Sequence, residues 1–239
     1  MASTRLPGKP LEDILGKSLI RRVYEQASRS ALAHEVLVAT DHPDIYHHVL
    51  DFGGKAVMTS EKHISGTDRI GEVAQMSESD IFINVQGDEP LIDPAQIDEL
   101  ISKFDNIEVE IATQKIKIAS TEELFDYNIV KVLTTKNDSA LYFSRQAIPG
   151  HRGIPYRNWI DHAAYYRHVG IYGFRKKTLL ELIALQPSSL EIAESLEQLR
   201  WLENGYNMHC FETSHTSFGV DTPEDLEKVI HLILRDMNR

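Results

Sequence analysis

The chain has 239 residues, of which 42% are hydrophobic, and a formal net charge of −11 at pH 7. This length and composition suffice for a sizeable core in one large domain, or in one domain with an added lobe, and they argue against disorder. The acidic balance disfavours non-specific binding to nucleic acid, which needs a basic surface. An acidic protein that handles an anionic substrate must concentrate its cations locally, and we expect it to recruit a divalent metal.

A short cationic turn stands near the start of the chain. Residues 3–10 read STRLPGKP and contain two cations and a pair of hydroxyls. Pro7-Gly8 favours a tight turn, which would hold Lys9 on a bend. A stiff cationic loop in an otherwise acidic protein predicts a binding site for a polyphosphate.

The first half of the chain alternates helices and strands. The apolar spacing predicts, in order, a helix over about 17–32, a strand at 35–40, a helix over about 41–52, a strand at 55–58, a helix over about 67–76, a central strand at 80–85 and a helix beginning near Pro94. This order predicts an α/β fold with a Rossmann-like, mainly parallel sheet flanked by helices. Ligands of such sheets bind at the carboxyl ends of the strands, which selects the loops after Thr40 and Val85 together with the start of the chain.

The second half of the chain has a different predicted pattern of elements. Strands with antiparallel alternation are predicted at 108–118, 129–134, 140–143 and 165–174, followed by helices over about 176–184 and 188–203, a strand near 206–212 and a last helix from Pro223 to about Leu234. No linker divides the sequence. We therefore interpret residues 1–239 as a single domain in which about 108–175 form a smaller antiparallel lobe.

A single cysteine and the absence of long apolar runs bear on location. Cys210 has no partner for an intrachain disulfide, which is typical of proteins in a reducing cytoplasm. No signal peptide and no apolar run of about 18 residues is apparent. We expect a cytoplasmic protein with no membrane partner.

A carboxylate follows the predicted central strand. After Val85 the sequence reads QGDEP, in which Gly87 allows a sharp turn and Pro90 stops the strand. Asp88 would then lie at the carboxyl edge of the sheet, where a hard oxygen ligand suits Mg²⁺. The alternative is an ordinary turn in which Asp88 bonds its own backbone, and the loop alone leaves both interpretations open.

A second carboxylate precedes the last predicted helix. Thr222 matches a helix N-cap, Pro223 the first helical position and Asp225 the third, so capping accounts for these residues. Asp221 stands before the cap and is not explained in this way. Two carboxylates from distant parts of the chain, meeting near a cationic turn, are what metal-assisted nucleotidyl transfer needs.

Other segments have both a structural and a functional interpretation. Residues 63–69 place hydroxyls, a glycine and Arg69 at a helix start, which suits binding of an anion or a base edge, or simple capping. Arg145 ends a predicted strand. His168 and Tyr172 share one strand face, and because the alternate positions are valine and isoleucine, we expect both polar side chains to face a pocket.

Several motifs together resemble one family. In order and spacing, STRLPGKPL, ATDH, HISGTDR, NVQGDEP, ALYFSR, RHVGIYGF, LEQLRWLENG and GVDTPEDLE look like those of the 3-deoxy-manno-octulosonate cytidylyltransferases, or CMP-KDO synthetases. The resemblance covers nearly the whole chain. It implies a nucleotide-binding α/β fold, a homodimer and the conversion of CTP and KDO to CMP-KDO and pyrophosphate, which feeds lipopolysaccharide synthesis in Gram-negative bacteria.

The resemblance implies a nucleotide site. Its catalytic residues would be Arg5, Lys9, Asp88 and Asp221, of which the two cations hold the CTP phosphates and the two carboxylates bind Mg²⁺. The residues around the cytidine would be Ser3, Thr40 and Arg69.

The resemblance also implies a sugar-acid pocket in the smaller lobe, which would contribute the dimer contact as well. The pocket residues would be Gln86, Arg145, His168, Tyr172, Glu197 and Gln198. Arg145 is the natural partner of the KDO carboxylate, because its planar fork matches that group.

One departure concerns the start of the chain. The family opens with an apolar strand ending in Pro-Ala-Arg, immediately before the equivalent of Ala2, whereas this sequence starts at Met1. We expect Met1 to be an internal methionine with further residues upstream. Two alternatives remain beside the KDO enzyme: a cytidylyltransferase for a sialate or an amino-KDO, and a non-catalytic nucleotide-binding dimer scaffold.

Overall fold

The computed structural model describes residues 6–216 and 218–237, so the predicted site residues Ser3 and Arg5 lie outside the described part. Strands and helices alternate, which confirms the α/β class. In chain order the elements are β1 (Asp13–Ile14), β2 (Lys17–Ser18), α1 (Leu19–Ala27), β3 (Val38–Thr40), α2 (Pro43–Asp51), β4 (Ala56–Met58), α3 (Gly66–Met76), β5 (Ile81–Asn84), α4 (Pro94–Ser102), β6 (Ile111–Lys117), α5 (Thr121–Phe125), β7 (Lys131–Thr134), β8 (Ala140–Ser144), β9 (Tyr166–Arg175), α6 (Lys176–Leu182), α7 (Ser189–Glu194), α8 (Gln198–Glu203), β10 (Met208–Glu212) and α9 (Pro223–Met237).

Contacts group the chain into two compact units. The first unit comprises the residues up to Ser79, residues 84–102 and the residues from His215 onward. The second unit comprises residues 80–83 and 103–214. The assignment of residues 108–175 as a lobe for substrate and dimer contacts stays a prediction.

In the first unit, β3 and β4 pair in parallel and β1 and β2 form a hairpin. One core cluster joins the hairpin to the last helix and contains Ile14, Leu19, Val23, Val220 and Val229. The amphipathic face of α1 therefore packs where the end of the chain returns. Residues near position 220 and residues near position 20 therefore share one hydrophobic core.

In the second unit, a mixed sheet has the order β10-β6-β9-β7-β8, and β5 also pairs with β9. The β6–β9 and β7–β8 pairs are antiparallel, as the sequence predicted for this region, whereas β10 runs parallel to β6. A bulge interrupts the β6–β9 ladder, because Thr113 is opposite Tyr172 while Gln114 is opposite Val169. Bulges of this kind redirect side chains and are frequent beside functional sites.

The predicted helix over 188–203 is wrong, because α7 and α8 are separate. Ser195 adopts a left-handed backbone with φ 53°, which ends α7. Among the described residues, no helix is long and apolar enough to cross a bilayer.

Candidate active site

The cationic turn has the predicted form. Leu6 O accepts a hydrogen bond from Lys9 N at 3.2 Å, and Gly8 has φ 75° and ψ 8°, the conformation of the third residue of a type II turn. Only glycine adopts this conformation without strain. Lys9 then begins a short 3₁₀ helix and is thereby held on a rigid bend.

The turn brings Lys9 to both predicted carboxylates. Its Nζ lies 2.6 Å from Asp88 Oδ2 and 3.1 Å from Asp221 Oδ1. Burial lowers the pKa of Lys9, but hydrogen bonds and charges from the two carboxylates outweigh that effect and raise it above its usual value. The structure thus joins three residues from the start, middle and end of the chain around one ammonium group.

Contacts between two loops set the position of the carboxylates. Val220 N donates to Asp88 O at 2.9 Å, and the Val220 side chain is fully buried. A Cβ at Gly219 would lie 3.4 Å from Glu89 Oε1, so the backbone comes close to that side chain. Because Val220 is held in the core, the adjacent Asp221 is held beside the loop that carries Asp88.

Thr222 and Asp225 form the helix cap as predicted, and Asp221 contributes its backbone N, which donates to Asp225 Oδ2 at 3.3 Å. Thr222 Oγ1 accepts from Asp225 N at 3.2 Å, and Asp225 Oδ2 accepts from Thr222 N at 3.1 Å, which completes a capping box at the start of α9. The Asp221 side chain remains about half exposed, at 52%, and that of Asp88 is 30% exposed. Capping therefore occupies Asp225 and leaves the Asp221 carboxylate facing Lys9.

The donor set of this cluster fits Mg²⁺. Two carboxylates already share one cationic group, and hard oxygen ligands are those that Mg²⁺ prefers. In the described part of the chain, no group of three or more His, Cys, Asp or Glu residues is arranged to hold a metal. A site with two carboxylates suits a metal that completes its shell with water and substrate phosphates.

A second polar cluster forms at the ends of β3 and β4. Arg69 Nη1 donates to Thr59 Oγ1 at 2.5 Å, and Nη2 donates to Asp41 Oδ2 at 2.7 Å. Burial raises the pKa of Asp41, but the Arg69 guanidinium outweighs it and lowers that pKa below its usual value. Thr40 is buried beside Asp41, and its carbonyl accepts from Thr59 N at 2.9 Å. The predicted residues Thr40 and Arg69 therefore belong to one network.

The start of α3 lies against two amide side chains. Ser65 caps the helix through a capping box with Asp68. A Cβ at Gly66 would lie 3.6 Å from Asn84 Nδ2 and 3.7 Å from Gln86 Nε2. Gln86 therefore lies in the first unit beside α3, whereas the other five residues predicted for the sugar-acid pocket lie in the second unit.

In the second unit, Arg145 is held by the end of α7. Its Nε donates to Glu194 O at 2.8 Å and its Nη2 to Ser195 O at 3.3 Å, while Glu194 Oε2 accepts from Arg145 N at 3.0 Å. The guanidinium also lies 5.7 Å from the ring centroid of Tyr127. These contacts orient the planar fork of Arg145 and keep its side chain half-buried.

His168 and Tyr172 lie next to each other where the bulge shortens β9, and the expectation that both face a pocket stays a prediction. Their ring centroids are 5.3 Å apart, and the ring centroid of Phe143 lies 4.9 Å from that of His168 in an edge-to-face arrangement. Burial lowers the pKa of His168 to about 3, so its imidazole is neutral near pH 7. Burial, reinforced by the charge of Glu197, raises the pKa of Tyr172 well above its usual value, so its phenol keeps its proton.

The remaining two predicted residues lie where α8 begins. Glu197 precedes the helix and is half-buried, and its carbonyl accepts from Arg200 N at 3.0 Å. Gln198 is the first residue of α8 and is 4% exposed. The second unit therefore contains Arg145, His168, Tyr172, Glu197 and Gln198.

Sequence reasoning missed three residues that position these groups. Asp41 pairs with Arg69, and its place directly after a strand end was an available signal. Glu194 supports Arg145, and Thr113 contacts His168 at 2.8 Å. No local pattern marks the last two, because each depends on a partner about 50 positions away along the chain.

Sequence comparisons match nearly the whole chain to cytidylyltransferases. A family model described as cytidylyltransferase matches residues 1–228. A 3-deoxy-manno-octulosonate cytidylyltransferase from Geobacter metallireducens is 45% identical over 98% of this chain and 94% of its own length. The protein of the same name from Fusobacterium nucleatum is 47% identical over 97% of this chain and 93% of its own length.

Solved structures of nucleotidyltransferases also resemble this chain. A CMP:2-keto-3-deoxy-manno-octonic acid synthetase complexed with CTP has a TM-score of 0.91 and 44% identity, covering 98% of this chain and 95% of that one. A glucose-1-phosphate thymidylyltransferase described as putative, from Bacillus anthracis, has a TM-score of 0.64 and 16% identity, covering 97% and 91% of the two chains, which is a likeness of fold alone.

Proposed function

Since this chain belongs to the cytidylyltransferase family and is a nucleotidyltransferase, we propose that it transfers CMP from CTP to KDO, forming CMP-KDO and pyrophosphate for lipopolysaccharide synthesis. The observation that carries the proposal is the contact of Lys9 Nζ with both Asp88 and Asp221. A lysine between two carboxylates on a rigid turn supplies a positive charge for phosphates beside ligands for a divalent cation. The names of the two bacterial relatives support the choice of KDO.

In the first unit, Lys9 binds the CTP phosphates together with Arg5. Lys9 is suited to this because its raised pKa keeps it cationic at all physiological pH values. Ser3, Thr40 and Arg69 surround the cytidine. Asp41 holds the Arg69 guanidinium in one orientation through the 2.7 Å contact, so that the remaining donors of Arg69 are presented in a defined direction.

Asp88 and Asp221 hold Mg²⁺ in this proposal. When bound, Mg²⁺ orients the triphosphate and lowers the pKa of a bound hydroxyl. The anomeric hydroxyl of KDO gives its proton to water as its oxygen bonds the α-phosphorus of CTP, and the bond from that phosphorus to the bridging oxygen breaks to release pyrophosphate. Lys9 and Arg5 offset the charge that develops on pyrophosphate, and positioning and charge stabilisation dominate such phosphoryl chemistry.

In the second unit, Arg145 pairs with the carboxylate of the sugar acid. Its Nε and Nη2 are engaged by backbone carbonyls, which leaves donors of its planar fork for a carboxylate. His168, Tyr172, Glu197 and Gln198 complete the second unit's set of residues for the sugar acid. The proposal also assigns Gln86, a residue of the first unit, to the sugar acid. His168 and Tyr172 are both neutral, so they offer hydrogen bonds to hydroxyls without adding charge.

The proposal includes a homodimer in the cytoplasm. The family resemblance supports the dimer, and exposed apolar side chains in the second unit, such as Leu141 and Ile192, offer surface for it. The buried free thiol of Cys210 suits a reducing compartment. Sedimentation equilibrium would test the dimer, since a single species of about 27 kDa would contradict it.

Pyrophosphate release tests the function. The purified protein would be assayed with Mg²⁺, CTP and KDO, then with each other nucleoside triphosphate, and with sialic acid or an amino-KDO in place of KDO. Release with CTP and KDO alone is the expected result. Preference for another sugar acid would establish the second candidate, and binding of CTP without turnover of any pair would establish a non-catalytic scaffold.

A further inference from the structure

The bulge in β9 surrounds a single hydroxyl. Thr113 Oγ1, on the facing strand β6, lies 2.8 Å from Ile171 O and 3.1 Å from Val169 O. The same oxygen lies 2.8 Å from Nε2 of His168. Thr113 is fully buried, so no water replaces these partners. Three groups therefore compete for one hydroxyl that has a single proton and two lone pairs.

Counting protons assigns the direction of each contact. The two carbonyl oxygens only accept, so the hydroxyl proton must go to one of them, and Ile171 O is the nearer. If the proton were given instead to His168, the hydroxyl oxygen would face two carbonyl oxygens with no proton between them. The hydroxyl oxygen must then accept from His168, which requires the ring proton to be on Nε2.

The other ring nitrogen follows from this assignment. A neutral imidazole has one N–H, so a proton on Nε2 makes Nδ1 an acceptor. Burial holds the pKa of His168 at about 3, so the ring stays neutral over the whole working range of pH. Between residues 6–216 and 218–237, Nδ1 has no hydrogen-bond partner, and the residue keeps some accessibility.

We propose that Thr113 is a positioning residue that holds His168 in the Nε2–H tautomer, so that Nδ1 accepts a hydrogen bond from a hydroxyl of the sugar acid. This inference rests on the function proposed above. It separates the two recognition tasks in the second unit, because an acceptor at Nδ1 repels a carboxylate and attracts a hydroxyl. The carboxylate is left to Arg145, and His168 distinguishes a hydroxylated sugar from an analogue that lacks the hydroxyl.

The test combines a spectroscopic and a kinetic measurement. Two-bond ¹H–¹⁵N correlation spectra of the histidine rings distinguish the two tautomers, with His168→Gln used to assign the signal. The variant Thr113→Val removes the hydroxyl at nearly constant volume, and Thr113→Ser is the matched control that retains it. Turnover is then measured against KDO and against CTP for the wild type and both variants.

We expect the Nε2–H pattern in the wild type and in Thr113→Ser, unchanged between pH 8 and pH 5, and a mixture of tautomers in Thr113→Val. Addition of KDO should shift the Nδ1 resonance. In Thr113→Val the KM for KDO should rise about 2–10-fold, the value of one neutral hydrogen bond, while the KM for CTP stays unchanged.

Several results would overturn the proposal. An Nδ1–H pattern in the wild type would refute the tautomer assignment, and this spectrum is decisive even where Thr113→Val does not fold. An unchanged Nδ1 resonance on addition of KDO, or equal KM values for KDO in both Thr113 variants, would refute the role in substrate binding. A wild type without turnover on CTP and KDO would instead refute the proposed function, and the spectrum would still decide the tautomer.

Discussion

Replacing Arg200 by methionine should destabilise the second unit more than removal of any surface charge pair. Arg200 Nε lies 2.7 Å from Glu191 Oε2, and Nη2 lies 2.5 Å from Oε1, which is a bidentate pair. Nη1 also donates to Leu185 O at 3.2 Å. The two charged side chains are only 10% and 16% exposed. Methionine keeps the volume but leaves the Glu191 carboxylate without its cation.

The magnitude follows from the burial of the pair. Breaking a buried pair by removing one partner costs about 3–5 kcal/mol, and the residual exposure reduces this to about 3 kcal/mol here. For a chain of this size that corresponds to a fall in Tm of about 6–12 °C. Lys177→Met is the matched control, because its contact with Glu181 is 3.9 Å long and the lysine side chain is 88% exposed. Exposed pairs contribute about 0–1 kcal/mol.

The pH dependence gives a second readout with a definite sign. The hydrogen bonds from Arg200 hold the pKa of Glu191 below its usual value despite burial. The stabilisation is therefore fully present above the unfolded pKa of about 4.3 and is lost as pH falls through the folded pKa. Urea unfolding of the wild type and both variants, at pH 7 and at pH 4 or below, would measure this contribution to the free energy of unfolding. A loss in Arg200→Met no larger than in Lys177→Met at pH 7, or a difference between them that grows on acidification, would refute the reasoning.

Three further predictions concern catalysis. Asp88→Asn and Asp221→Asn should each lower kcat about 100-fold or more at saturating Mg²⁺ while the protein stays folded at the assay temperature; full activity in either variant would contradict the metal assignment. Arg145→Ala should raise the KM for KDO about 10–100-fold and leave that for CTP within twofold, whereas the reverse pattern would assign Arg145 to the nucleotide. Asp41→Asn should raise the KM for CTP about 3–10-fold by releasing Arg69, and an effect on KDO alone would exclude this role.

Local signals in the sequence predicted most elements because they act within a few residues. The box formed by Thr222 and Asp225 and the box formed by Ser65 and Asp68 begin α9 and α3 close to the predicted positions. The α/β class and the resemblance to CMP-KDO synthetases are confirmed. Both predictions use hydrophobic spacing and short motifs that are spread over the whole chain, so neither requires knowledge of one distant contact.

The break between α7 and α8 was not predictable from such signals. Neither glycine nor proline occurs between residues 188 and 203, and the sequence is compatible with one helix. The left-handed backbone at Ser195 coincides with the contacts that Arg145 makes to the carbonyls of Glu194 and Ser195. An end of a helix that is satisfied by a side chain 49 positions away leaves no trace in the local sequence.

The hairpin β1–β2 was missed for a similar reason. Its turn consists of Leu15 and Gly16, both with positive φ, of 53° and 80°. A leucine in this conformation is strained, and Arg22 holds it in place by donating from Nε to Ile14 O at 2.8 Å. The turn has a leucine where asparagine or aspartate is usual, so its sequence did not indicate a hairpin. The side chain of Arg22, from α1, supports the turn instead.

The division of the chain into two units makes the site assignments separable. Lys9, Asp41, Arg69, Asp88 and Asp221 all lie in the first unit, and the contacts described above between them join residues of that unit. The carboxylate and hydroxyl partners proposed for the sugar acid are held by contacts within the second unit. Substitutions of these five first-unit residues should therefore alter the parameters for CTP and Mg²⁺, and substitutions of Arg145 and His168 should alter the parameters for KDO. Variants that change both sets of parameters equally would contradict these residue-by-residue roles.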